Sequence, residues 1–353
     1  MSRRRVASHL LSSGAGRARP GICAGPSVDR DNPAHTSSPR PLESTAVAPR
    51  VALTRPFNTN QTASGKKESK LGATPRDIQV SYDVGNDFFR LWLDREMSYT
   101  CAMFQGEESL EDAQVRKLAF LHDAAGVKPG DSVLDIGCGW GANLEYLASR
   151  GVREAHGITL SPAQIEEIRR RDRPSVSAEC VSYADYQPAR PFDAVISIGM
   201  LEHVVSPEQA KAGEAVERYR DYFRRVRSFC RPRARFALQT IVRDLPPVDP
   251  SDLREIGWTT RTIFPGSLAP RLEDLVVAVA PHWEILELKT SREDYRRTCE
   301  AWRLRLRAHE ATVRSQFGDE LFKVYDRYLS ASVLAFAKHY LSLCRFSLAR
   351  IDD

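Results

Sequence analysis

The stretch from Ser132 to Ser149 limits the possible folds more than any other part of the chain. Ser132–Ile136 is a short apolar run, Gly137-Cys-Gly-Trp-Gly141 follows it, and Asn143–Ser149 has helical spacing. A buried strand that turns through glycines directly into a helix is the opening unit of a parallel sheet covered by helices. The alternation then continues. Glu154–Leu160 reads as a second strand, and Ser161-Pro162 starts a helix over Gln164–Arg171, since serine caps a helix and proline's fixed φ suits its first turn. Phe192–Ile198 is a third strand, Val216–Phe229 a helix and Phe236–Val242 a fourth strand, with His282–Lys289 a further candidate. Upstream, Asp77–Leu93 is rich in aromatics and helical in its second half, and Met97–Phe104 lacks any period and reads as a structured loop. Ser109–Ala125 is amphipathic, with Leu110, Ala113, Val115, Leu118 and Leu121 on one side. Glu293–Gln316 and Leu321–Ala349 read as long helices. The expected architecture is α/β: a mostly parallel central sheet with helices on both faces and a helical cap.

Charge separates the chain into two parts. Residues 1–70 hold twelve Lys/Arg, four Asp/Glu, seven prolines and the single aromatic Phe57. Such a segment buries too little apolar surface to offset its ordering entropy, and it reads as a disordered basic tail. Its Arg- and Ser-rich start admits a transit peptide, and equally a non-structural extension or an upstream start codon. Of the chain's 51 basic and 46 acidic residues, 39 and 42 remain in 71–353, a balance of −3. Nucleic acid wants a basic face on the fold itself, so none is expected as a partner. No run of eighteen apolar residues suggests a membrane span, and seven cysteines without close pairing argue against a secreted disulfide scaffold. Neither C-x-x-C nor H-E-x-x-H is present, so no metal is expected. The expected location is cytoplasmic.

The glycine turn does not continue as the dinucleotide fingerprint. The chain has G-C-G-W-G, and its second strand ends Gly157-Ile-Thr-Leu-Ser161 with no ribose-binding acid. Asp135 ahead of Gly137 and Gly139 instead resembles the loop by which methyltransferases hold the amino-acid end of S-adenosylmethionine (SAM). The likeness extends to a family. Tyr82-Asp-Val-Gly-Asn-Asp-Phe-Phe89, Ser98-Tyr-Thr-Cys-Ala-Met-Phe104, Asp135–Gly141, Gly157–Ser161 with Gln164, Ser197-Ile-Gly-Met-Leu-Glu-His203, Ile263-Phe-Pro-Gly266, and Tyr295 with Trp302 together resemble the cyclopropane fatty acid and mycolic acid cyclopropane synthases, over nearly all of 75–353.

That resemblance implies a Rossmann-like SAM methyltransferase fold. Residues 75–125 would form an amino-terminal helical cap, 126–245 the SAM-binding core and 246–353 the acceptor-pocket elements. It places Tyr82, Tyr99 and Thr100 over the methionine end, Gly137 and Gly139 beneath it, and Thr159, Leu160 and Gln164 toward the ribose and adenine. Tyr183 stands where the family usually has Trp. It also implies a bicarbonate ion held by Cys101, Glu202, Tyr295 and the Ile198 backbone, serving as the base.

Two departures bear on the chemistry. The fifth family ligand, usually His, is Gln239, which can hydrogen-bond an anion but cannot carry charge or relay a proton. After Glu202-His203 about ten residues, Ser206–Glu214, are inserted, beside the site and able to reshape its acceptor pocket. Two mechanisms stay open: bicarbonate serves as base while an alkene in a long acyl chain is methylated or cyclopropanated, or Glu202 itself is the base, for an amine or for an alkene that loses a proton without ring closure, as would suit a secondary-metabolite or isoprenoid acceptor. His203 either bonds Glu202 or packs beneath the sheet. The acceptor is expected to be an acyl chain or another hydrophobic small molecule, with peripheral membrane contact open, and a SAM-binding scaffold without catalysis is the non-enzymatic alternative.

Overall fold

The structure is a computed structural model and describes residues 72–74, 77 and 84–352. The expectations for 1–70 and for Tyr82 lie outside those residues. Seven strands form one sheet: β1 Ser132–Ile136, β2 Glu154–Thr159, β3 Val176–Cys180, β4 Phe192–Ile198, β5 Cys230–Arg243, β6 Trp283–Thr290 and β7 Leu341–Arg350, in the order β3-β2-β1-β4-β5-β7-β6. From β3 to β5 every pairing is parallel, and β7 runs antiparallel to both β5 and β6. This is the Rossmann-like, mostly parallel sheet expected.

All five residues of β1 are buried, as a strand covered on both faces requires. On one face Leu134, Val195 and Phe236 pack with Tyr219, Phe223 and Val226 of the helix Ala215–Ser228. On the other, Val133, Ile196 and Ala237 meet Leu118 and Leu121 of the helix Leu110–Ala124 and Leu144 and Leu147 of Ala142–Ser149. Capping follows local chemistry: Ser109 and Ser161 each accept a backbone N–H from the first turn of the helix they precede. A third cluster holds the cap. Phe88, Phe89 and Trp92 pack on Tyr325, with Phe88 and Tyr325 centroids 4.6 Å apart, and Tyr99 lies 5.3 Å from Trp302.

Four sequence expectations change. Leu321–Ala349 is not one helix: Asp319–Ala337 is helical, His339 turns at φ 61°, and Leu341–Arg350 is β7. The apolar residues continue past the break at Lys338 and His339 without a sustained period, so the pattern does not separate the buried strand from the helix before it. The Glu293–Gln316 helix breaks at His309 into Arg292–Ala308 and Glu310–Phe317. Val115, expected on the apolar side of its helix, is 52% exposed. Strand β3 and the helices Pro250–Thr262 and Leu272–Val279 were not anticipated.

Candidate active site

The carboxyl ends of β1, β2, β4 and β5 open into a cavity of about 700 Å³, walled on its far side by Met97–Thr100, Tyr295 and the helix Asp319–Ala337. Ligands of open α/β sheets bind at such strand ends. Gly137 is at φ 81°, and a Cβ there would lie 2.8 Å from the Met200 side chain. Gly139 is at φ 54°, and a Cβ there would meet nothing within 4 Å. The first glycine is demanded by packing, and the second leaves room beside the backbone. Asp135 lines the cavity at 1% exposure, and its Oδ1 has no hydrogen-bond partner among the described residues. Burial pushes its carboxyl up to about 7, against the pull of Asn143 and the Lys117 ammonium.

Thr159, Leu160, Gln164, Tyr183, Ile198, Tyr99 and Thr100 also line the cavity. Thr159 donates to Gln164 Oε1 at 2.6 Å, which fixes the amide at the end of β2. Glu202 lies in the 3-10 turn Leu201–His203 after β4. Its Oε1 accepts the Ile241 N–H at 2.7 Å, and its Oε2 is buried without a hydrogen-bond partner among the described residues. Burial raises this carboxyl to about 7, opposed by the Ile241 N–H and the Thr240 side chain. His203, left open between two roles, shares a 2.7 Å hydrogen bond between its Nδ1 and Ser267 Oγ, and burial lowers its imidazole to about 4. Tyr295 reaches the cavity wall and stacks on Phe336 at 4.4 Å.

Cys101 and Gln239 lie behind that wall and do not line the cavity. Both are bound up with Arg345, a fully buried guanidinium on β7 that the sequence reading missed. Arg345 donates through Nε to Gln239 Oε1 at 2.7 Å and through Nη2 to the Ala102 carbonyl at 2.9 Å. Gln239 Nε2 in turn donates to the Cys101 carbonyl at 3.3 Å. The guanidinium lies 3.8 Å from the Cys101 sulfur, yet burial dominates and pushes the thiol up to about 12. The inserted segment forms a short helix, Pro207–Lys211, closed by a capping box at Ser206, and none of 206–214 lines the cavity.

Lys117 was also missed. Its side chain is 1% exposed and lines the cavity, and its Nζ donates to Thr100 Oγ1 at 3.1 Å. Burial lowers its ammonium to about 8, with Asp94 as the main opposing charge. Helical spacing held the signal: Leu110, Gln114, Lys117 and Leu121 share the buried stripe of one helix. Gln114 uses that position to donate to the Ser98 and Thr100 carbonyls, which fixes the loop over the glycines.

The profile of the family described as mycolic acid cyclopropane synthetase matches residues 69–346. The chain belongs to that family. Its members are SAM-dependent methyltransferases, and so is this synthetase-family enzyme. Cyclopropane mycolic acid synthase 2 of Mycobacterium bovis is 30% identical over 291 residues, which cover 77% of this chain and 94% of that one. The cyclopropane-fatty-acyl-phospholipid synthase of Escherichia coli K12 is also 30% identical, over 76% of this chain and 66% of its own length. The solved cyclopropane synthase MmaA2 from Mycobacterium tuberculosis superposes with a TM-score of 0.72 at 27% identity, over 78% of this chain and 98% of that one. The synthetase-family site fits the family cofactor on its own evidence. The space at Gly139, the unpartnered Asp135 oxygen and the buried Lys117 ammonium suit a ligand with a zwitterionic amino-acid end.

Proposed function

We propose that the enzyme transfers a methyl group from SAM to an alkene carbon of an unsaturated, lipid-like acceptor, with Glu202 taking the proton that is then lost. The observation that carries this reading is the free Oε2 of Glu202, buried on the wall of the cavity that the glycine loop also opens into. When bound, SAM supplies a methyl on a cationic sulfur, an electrophile within the reach of an alkene's π electrons. Asp135 would hold the cofactor's ammonium, Lys117 with Thr100 its carboxylate, and Thr159 with Gln164 its ribose. Apolar and aromatic walls from Phe264, Tyr328 and Phe336 would align the acceptor and exclude water. The Tyr295 and Phe336 faces would stabilise the positive charge left on the acceptor carbon. Glu202 then removes a proton, either from the newly added methyl, whose C–H electron pair closes the ring onto the cationic carbon, or from another carbon beside the cation, which restores an alkene. Its Oε1 is held by the Ile241 N–H, so Oε2 is the basic atom.

The same geometry speaks against bicarbonate as the base. Two of the side chains implied for it, Cys101 and Gln239, are committed to a buried network, and the thiol stays protonated far above neutral pH. The test is incubation with deuteromethyl-SAM and a lipid extract in buffer freed of carbon dioxide, followed by mass spectrometry. Label in unsaturated acyl or other lipid fractions is expected, at a rate that added bicarbonate leaves unchanged. Label confined to polar amines would overturn the acceptor assignment, and a rate that climbs with bicarbonate would overturn the role of Glu202 as the base.

A further inference from the structure

The acceptor end of the cavity carries a charge that nothing described above uses. Ile241 and Arg243 lie on the same face of β5, two residues apart, and both line the cavity. Strand rise places Arg243 about 7 Å beyond the residue whose N–H grips Glu202. Its backbone N–H donates to the Pro270 carbonyl at 2.8 Å, which anchors the end of the strand. Its guanidinium has no hydrogen bond or ion pair among the described residues, and Nε is buried without a partner. No carboxylate pairs with it among the described residues: the nearby Glu273 lies 3.5 Å from Arg271 and Asp244 lies 3.9 Å from His339, while Asp274 has no ion pair to Arg243. Leu245 is 57% exposed and also lines the cavity with Pro246 and Pro247, so this stretch is the rim where the cavity meets solvent. A half-buried cation without a partner is costly unless something completes it.

We propose that the acceptor carries an acidic head, a carboxylate or a phosphate, and that Arg243 receives it at the cavity mouth while the apolar chain passes inward to Glu202. This rests on reading the cavity as the site of an unsaturated acceptor. A guanidinium suits either anion, because its fork of donors matches the planar pair of oxygens on each. The other cations that line the cavity have partners, Lys117 on Thr100 and Arg271 on Glu273, and Ile256, Phe264 and Phe336 supply apolar wall, so head and tail are told apart by position.

The test measures binding of oleate, oleyl phosphate and methyl oleate to the full chain saturated with S-adenosylhomocysteine, for wild type, Arg243→Leu and Arg243→Lys. Oleate or oleyl phosphate is expected to bind wild type at least ten-fold more tightly than the ester, as one charge-assisted contact would give. The preferred acid identifies the head as carboxylate or phosphate. Arg243→Leu should erase that preference while leaving methyl oleate affinity unchanged and the melting temperature no lower than that of wild type, and Arg243→Lys should restore part of it. Equal binding of acid and ester by wild type, or a preference that survives in Arg243→Leu, overturns the proposal. Wild-type protein that binds none of the three overturns the acceptor reading itself, and this proposal with it.

Discussion

Residue by residue, the site divides into groups that face the cavity and groups that brace it. Lys117 belongs to the first kind, since a buried ammonium beside Thr100 and the glycine loop is matched to a carboxylate. Replacing it by Met should weaken S-adenosylhomocysteine about ten- to one hundred-fold, the worth of one charge-assisted hydrogen bond. The same change should leave 5′-methylthioadenosine, which lacks the amino-acid end, almost unaffected. Titration calorimetry on both ligands checks this, and a parallel loss for the two would show only a general disturbance. The glycines, Asp135 and Glu202 were legible because their positions relative to predicted strands carry meaning. Lys117 and Arg345 were not, because a charged side chain in sequence gives no sign that it is buried until its neighbours are known.

Among the elements, β7 decides how the acceptor side is built. It lies between β5 and β6 and brings Arg345 opposite Gln239 in register, which turns the residue in the family's histidine position into a bracing group. Arg345→Met would leave the Gln239 oxygen and the Ala102 carbonyl unpaired in the interior. A loss of about 2–4 kcal/mol is expected, read as a lower denaturant midpoint at unchanged slope. An unchanged midpoint would contradict the bracing role. This element was also the hardest to foresee. The strands β1, β2 and β4 follow the alternation set by the glycine turn, whereas β7 arrives from the far end of the chain, close behind a helix and with serines and arginines among its apolar residues, so its period is not sustained.

At the scale of the whole molecule, two buried carboxyls tie stability to pH. Asp135 and Glu202 are both raised to about 7, well above the ordinary carboxylate range. The folded chain therefore keeps their protons where the unfolded chain has already released them. Their contribution is complete below the unfolded values near 4 and is lost as pH rises through 7, so the melting temperature should fall across that window. In Glu202→Gln the fall should be smaller, and an identical slope would argue that Glu202 is not perturbed. Activity should run the opposite way, because a base must be ionised, with kcat/KM rising through about pH 7.

The most direct measurement compares single-turnover methyl transfer by wild type and Glu202→Gln on an acceptor labelled in the extract experiment, with S-adenosylhomocysteine affinity determined on the same samples. A rate lowered by a factor of a hundred or more with cofactor affinity intact is the predicted outcome. Transfer at the wild-type rate by the glutamine variant would remove the free carboxylate oxygen from the chemistry.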